Sequence, residues 1–242
     1  MKIIVCKDYE ALSAKAAQII GALVRRKPDA VLGLATGNSP IGVYRYLVAA
    51  YERGELDFSR VSTYNLDEYL PIDPADENSY AAFMHQHLWD KVNVDIANCH
   101  IPNGNISMEE APAVCEAYDN AVRAAGGIDL QLLGIGRNGH IGFNEPDAEL
   151  IMGTHAVKLT DSTLAANGPL FADPNDMPRH ALTMGLGCIF EAKEILLVAN
   201  GKNKHAAIES LLNDTVTTAS PASLLKLHPH VTVICDEEAF HG

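Results

Sequence analysis

The 242-residue chain carries 18 Lys and Arg against 31 Asp and Glu, a net charge of −13, with 48% hydrophobic and 20% charged residues. This is the balance of a soluble globular protein. It argues against nucleic acid or an anionic membrane as a partner, so an anionic ligand needs a local positive site. Five scattered cysteines (Cys6, Cys99, Cys115, Cys188, Cys235) form no C-x-x-C pair, the first apolar run is short, and nothing approaches the roughly 18 apolar residues of a membrane span; a cytoplasmic protein with reduced thiols and no signal peptide is expected.

Along the chain, KIIVC (2–6) reads as a short buried strand. A helix over 8–26 follows, with Asp8 placed to cap it and apolar residues at Leu12, Ala16, Ile19, Ile20 and Leu23. AVLGLA (30–35) is a second strand, and 40–54 a helix with Pro40 in its first turn. VSTYNL (61–66) is a third strand, and helical patterns cover 79–91 and 110–125. Further strands are read at 128–135, 194–199 and 231–235. Short apolar strands alternating with helices predict one α/β domain over 1–242. Its core is an open, mostly parallel, Rossmann-like sheet with helices on both faces.

Ligands of such sheets sit beyond the carboxyl ends of the strands. After the second strand comes Thr36-Gly37-Asn38-Ser39-Pro40, leading into a helix: either a phosphate cradle of backbone N–H groups and hydroxyls or a plain capped turn. After the third comes Asn65-Leu66-Asp67-Glu68-Tyr69. Adjacent carboxylates in a strand point opposite ways, so one can face a site while the other makes a structural contact, or both can fix a loop. Gly134, Gly136 and Gly139 spell G-x-G-x-x-G after a strand, but Gly142 and Pro146 exclude the helix that a dinucleotide turn requires. What remains is a flexible loop presenting Asn138, His140 and Glu145, suited to proton transfer or simply to holding a loop histidine. The pairs His85/His87 and His228/His230 read as structural.

Seven motifs, in order along nearly the whole chain, carry a resemblance: LGLATGNSP (32–40), NLDEY (65–69), SYAAFMHQHL (79–88), IPNGN (101–105), GIGRNGHIGFNEP (134–146), ALTMG (181–185) and LHP (227–229). They resemble the glucosamine-6-phosphate deaminase family, also called glucosamine-6-phosphate isomerases, and within it the compact bacterial branch. The resemblance implies conversion of glucosamine 6-phosphate and water to fructose 6-phosphate and ammonia in amino-sugar catabolism. It implies His140 as the proton shuttle in ring opening, tuned by Glu145 and Asn138, and Asp67 as the base at C2. Phosphate is implied on Lys204, with Lys202 as rival, the N–H groups of 37–39 and the Ser39 hydroxyl, beside Thr36. No metal or organic cofactor is implied, and the chain is expected as a monomer or small homo-oligomer.

The chain departs from the family where many members have Asp in place of Asn138, where T-G-N-S-P replaces T-G-G-T-P, and where an arginine is usual near Thr163–Phe171 and none is present. The longer tail of allosterically regulated members has no counterpart after Gly242. Two alternatives share the fold: a 6-phosphogluconolactonase-type hydrolase, and a non-catalytic sugar-phosphate-sensing domain.

Overall fold

The strands are short and almost wholly apolar because both their faces are covered. In the computed structural model, which describes residues 1–242 with the Ala166 side chain excepted, seven of them form one parallel sheet. Its strands are β1 (Lys2–Cys6), β2 (Val31–Leu34), β3 (Ser62–Asn65), β5 (Cys99–His100), β6 (Leu130–Leu133), β9 (Glu194–Ala199) and β10 (Val231–Asp236), in spatial order β1-β10-β9-β6-β2-β3-β5. Alternate residues enter opposite cores. Leu32, Leu132 and Val198 pack under α1 (Tyr9–Arg26), α2 (Asn38–Glu52) and α3 (Tyr80–His87). Val31, Leu133 and Leu197 pack under α4 (Ala111–Ala124), α6 (Leu186–Glu191), α7 (His205–Leu212) and α8 (Glu237–His241). The open parallel sheet with helices on both faces is therefore present. Among the described residues no helix is long and apolar enough to cross a membrane.

From β2 the chain steps outward through β3 to β5; it then returns to β6 on the other side of β2 and steps away through β9 and β10. The direction reverses between β2 and β6, which are hydrogen-bonded neighbours (Leu32↔Leu130, Gly33↔Gln131). A crevice opens at such a reversal, beyond the strand ends.

The structure differs from the sequence reading in places with clear causes. The helix expected over 40–54 begins at Asn38, because Gly37 at φ +105° turns the chain directly out of β2. The run 61–66 is not followed by a loop. After Leu66 the chain forms β4 (Asp67–Leu70), which pairs antiparallel with β8 (His180–Thr183), itself paired antiparallel with β7 (His155–Lys158). This second, three-stranded sheet was not expected. Its faces are held by two small clusters, Tyr69, Phe143, Phe171 and Ala181 on one side and Leu70, Leu182, Ala111 and Cys115 on the other.

Candidate active site

Thr36 and Gly37 follow the end of β2, and α2 starts with no side-chain cap on its N-terminus. Its first N–H groups thus keep their capacity for an anion, and the helix dipole favours negative charge there. From α1, the Tyr9 hydroxyl binds the first turn: it donates toward the carbonyls of Asn38 (2.9 Å) and Ser39 (3.2 Å) and accepts from Gly42 N–H at 2.8 Å. Ser39 Oγ donates to Asn200 Oδ1 at 2.6 Å, joining this turn to the end of β9.

Past Asn200, both Asp236 carboxylate oxygens accept from Gly201 N–H at 3.0 Å and fix the 3-10 turn Lys202–Lys204. Lys204, half-buried, donates from Nζ to the Ile135 carbonyl at 2.7 Å. Burial and the charge of Arg137 hold its ammonium below the usual value. Lys202 is exposed. Lys204, and not its rival, therefore reaches the carboxyl edge of β6 from β9.

Beyond β6, Gly139 N–H bonds the Gly136 carbonyl (3.0 Å) and Gly136 N–H bonds the His140 carbonyl (2.8 Å), closing a tight turn with Gly139 at φ +83°. A Cβ on Gly136 would lie 2.3 Å from His140 ring atoms, so the imidazole rests directly on that glycine. No helix follows before β7, so this glycine-rich run lacks the helix of a dinucleotide turn. Asn138 accepts the His140 N–H on Oδ1 (3.2 Å) and donates from Nδ2 to Glu145 Oε2 (2.7 Å). Glu145 Oε1 stands 3.0 Å from His140 Nδ1, though the ring N–H is not aligned on it. Burial pushes the Glu145 carboxyl up, but contacts from His140, Asn138 and Thr163 outweigh it and hold the group below its usual value. Asn138, His140 and Glu145 therefore form one connected group.

Asp67, the first residue of β4 and 6% exposed, is opposite Thr183 of β8. The Thr36 hydroxyl, from the turn after β2, acts on its carboxylate in the opposite sense to burial, favouring the charged form. A Cβ on Gly142 would come within 3.4 Å of Asp67 Oδ2 and 2.9 Å of Thr183 Oγ1, so the absent side chain leaves the Asp67 carboxylate facing the loop that carries His140. Burial, reinforced by the charge of Glu68, pushes the Asp67 carboxyl up to about 7. An aspartate so tuned is half ionised near neutrality and can take and return a proton. Glu68 points the other way, accepting from Tyr69, Tyr80 and Ala81 N–H at 2.9 Å each, at the N-terminus of α3.

The structure also brings in residues that the sequence did not single out. Thr160 caps α5 (Asp161–Asn167), and from the same turn Thr163 Oγ1 donates to Glu145 Oε1 at 3.2 Å. The signal was a T-x-x-T cap at a helix start, readable as a cap but not as a contact to Glu145. His85 pairs with Asp90 (2.7 Å), and buried His228 bonds the Ala192 carbonyl (2.9 Å), outside this group. A groove of about 510 Å³ between α4 and β7 shares no residue with it either.

The family model described as glucosamine-6-phosphate isomerases/6-phosphogluconolactonase matches residues 8–234. The glucosamine-6-phosphate deaminase of Thermoanaerobacter pseudethanolicus is 48% identical over 239 residues, covering 99% of this chain and 94% of that one. Glucosamine-6-phosphate deaminase 2 of Bacillus subtilis is 47% identical over 241 residues, covering 99% and 96%. A solved monomeric glucosamine-6-phosphate deaminase superposes with a TM-score of 0.95 at 43% identity, over 99% of this chain and 98% of that one. The 6-phosphogluconolactonase of Leishmania guyanensis shares the fold at 20% identity and a TM-score of 0.75. With the match running from residue 8 to residue 234, the chain belongs to the glucosamine-6-phosphate isomerase/6-phosphogluconolactonase family.

Proposed function

We propose that this protein is a glucosamine-6-phosphate deaminase, converting glucosamine 6-phosphate and water to fructose 6-phosphate and ammonia. The observation that carries the reading is a buried aspartate, Asp67, opposed across Gly142 to the loop bearing His140, in a chain 48% identical to a deaminase.

His140 moves a proton from the anomeric hydroxyl to the ring oxygen and so opens the sugar. Glu145 stabilises the imidazolium formed on the way, and Asn138, a neutral amide, bridges the two groups and sets their orientation. In the open aldehyde, Asp67 removes the C2 proton to give an enolamine and delivers a proton to C1 as O1 becomes a hydroxyl. The imine left at C2 adds water and expels ammonia. The phosphate rests on the N-terminus of α2, N–H groups of residues 37–39, with the Lys204 ammonium beside it; Thr36 aligns Asp67, and the Ser39 proton is shared with Asn200 or given to the phosphate. All of these residues come from one chain, which suits a monomer.

The test is ammonia release from glucosamine 6-phosphate, with N-acetylglucosamine 6-phosphate and 6-phosphogluconolactone as comparators. Equimolar ammonia and fructose 6-phosphate from the first alone supports the reading. Lactone hydrolysis without ammonia moves the chain to the lactonase side of the family, and binding without turnover makes it a sensor.

A further inference from the structure

We propose that Arg137 is the second cation of the phosphate site, supplying the arginine that the Thr163–Phe171 segment lacks; this rests on the deaminase reading.

The argument begins with charge. Among the described residues, eight of the 18 Lys and Arg meet a carboxylate within 4.0 Å. Lys27 and Lys193 share Asp129, Arg45 meets Glu10 and Arg53 meets Glu55. Among the described residues, neither Lys204 nor Arg137 has a carboxylate within 4.0 Å. They are also near one another. Lys204 Nζ binds the Ile135 carbonyl, two residues from Arg137, and the Arg137 charge weighs on the Lys204 ammonium. Two uncompensated like charges beside each other repel, and an anion seated between them removes that repulsion.

The backbone says where such an anion sits. The turn closed by Gly139 N–H and the Gly136 carbonyl puts Arg137 and Asn138 at its two central positions, with Arg137 exposed at the tip. That tip lies beyond β6, next to β2 and hence to the uncapped start of α2, at the point where strand order reverses. The crevice therefore has backbone donors at the start of α2 and Lys204 at the edge of β6, with the exposed Arg137 two residues beyond the carbonyl that Lys204 binds. A phosphate monoester, dianionic near neutral pH, matches this charge, and a guanidinium binds it through two parallel N–H bonds where an ammonium offers a point charge.

There is a consequence for turnover. Arg137 immediately precedes Asn138, which accepts the His140 N–H and binds Glu145. A phosphate gripped by Arg137 thus pulls on the turn that orients His140, and kcat as well as KM depends on the grip.

The experiment compares wild type, Arg137→Ala, Arg137→Lys and Lys202→Ala. Arg137→Ala should raise KM for glucosamine 6-phosphate and the inhibition constant of inorganic phosphate, each by about 10- to 100-fold. It should also lower kcat, with Arg137→Lys falling between and Lys202→Ala matching wild type. Because Arg137 is exposed and its side chain makes no hydrogen bond among the described residues, the melting temperature without phosphate should not fall. Unchanged KM and phosphate inhibition in Arg137→Ala overturns the proposal. Phosphate-induced thermal stabilisation separates it from the deaminase reading: stabilisation present in wild type and lost in Arg137→Ala supports the site even without ammonia release. Equal stabilisation of both proteins, or of neither, refutes it.

Discussion

Replacing Asp67 by Asn should abolish deamination and stabilise the protein, with both effects governed by pH. Folding raises the Asp67 carboxyl from its usual 3.8 to about 7, mainly by burial. The folded state thus favours the protonated acid. That advantage is complete below about pH 4, declines as pH rises toward 7, and is gone above it, where a buried charge is maintained. The interval corresponds to on the order of 4 kcal/mol at 6% exposure, so little solvent screening reduces it. The amide of the variant never ionises, so it escapes the penalty. Urea titrations should show the variant ahead of wild type by about 1 kcal/mol or less at pH 4.5, and by about 3–4 kcal/mol at pH 8. Its kcat should fall by roughly 10² to 10⁴. Wild-type kcat/KM should rise about tenfold per pH unit below 7 and level off above, whereas an ordinary aspartate would place that limb near pH 4. A variant less stable at pH 8, or an advantage that does not grow with pH, refutes the reasoning, as does a wild-type limb near pH 4.

His140→Gln should slow turnover through ring opening while an open-chain substrate analogue still binds with wild-type affinity; equal loss of analogue binding would make the histidine structural. Lys204→Ala should raise KM by roughly 10- to 100-fold, less at high salt, and a salt-independent or absent change contradicts its phosphate contact. Thr163→Val removes a donor to Glu145, so that carboxyl should rise toward its usual value and kcat drop several-fold with KM almost unchanged; a KM effect alone would place Thr163 on the substrate instead. Gly142→Ala puts a methyl 2.9 Å from Thr183 Oγ1 at φ +58°, costing about 1–2 kcal/mol of stability and most activity, and a fully active variant would show that this approach is not needed.

The parts legible in the sequence were those set by local pattern. Apolar runs at Val31–Leu34 and Glu194–Ala199 read as strands, and Asp8 was found as a cap because its side chain accepts from Ala11 N–H within the same turn. Period-two geometry separates Asp67 from Glu68 on the sequence alone. The second sheet was hidden because β4 begins with two carboxylates, which read as loop, and its partner β8 lies more than 100 residues away. The contacts that assemble the site are equally long-range: Lys204 to Ile135 spans 69 residues and Ser39 to Asn200 spans 161. Arg137 was visible as a letter within the glycine loop, but not as the neighbour of Lys204. No local pattern encodes which cations become neighbours once the chain has folded.

The most direct measurement is proton NMR of a glucosamine 6-phosphate digest with wild type and Asp67→Asn side by side at pH 8. The account predicts equimolar fructose 6-phosphate and ammonium from wild type and neither from the variant, with the variant fully folded. Product from the variant at the wild-type rate, or none from either protein, would contradict it.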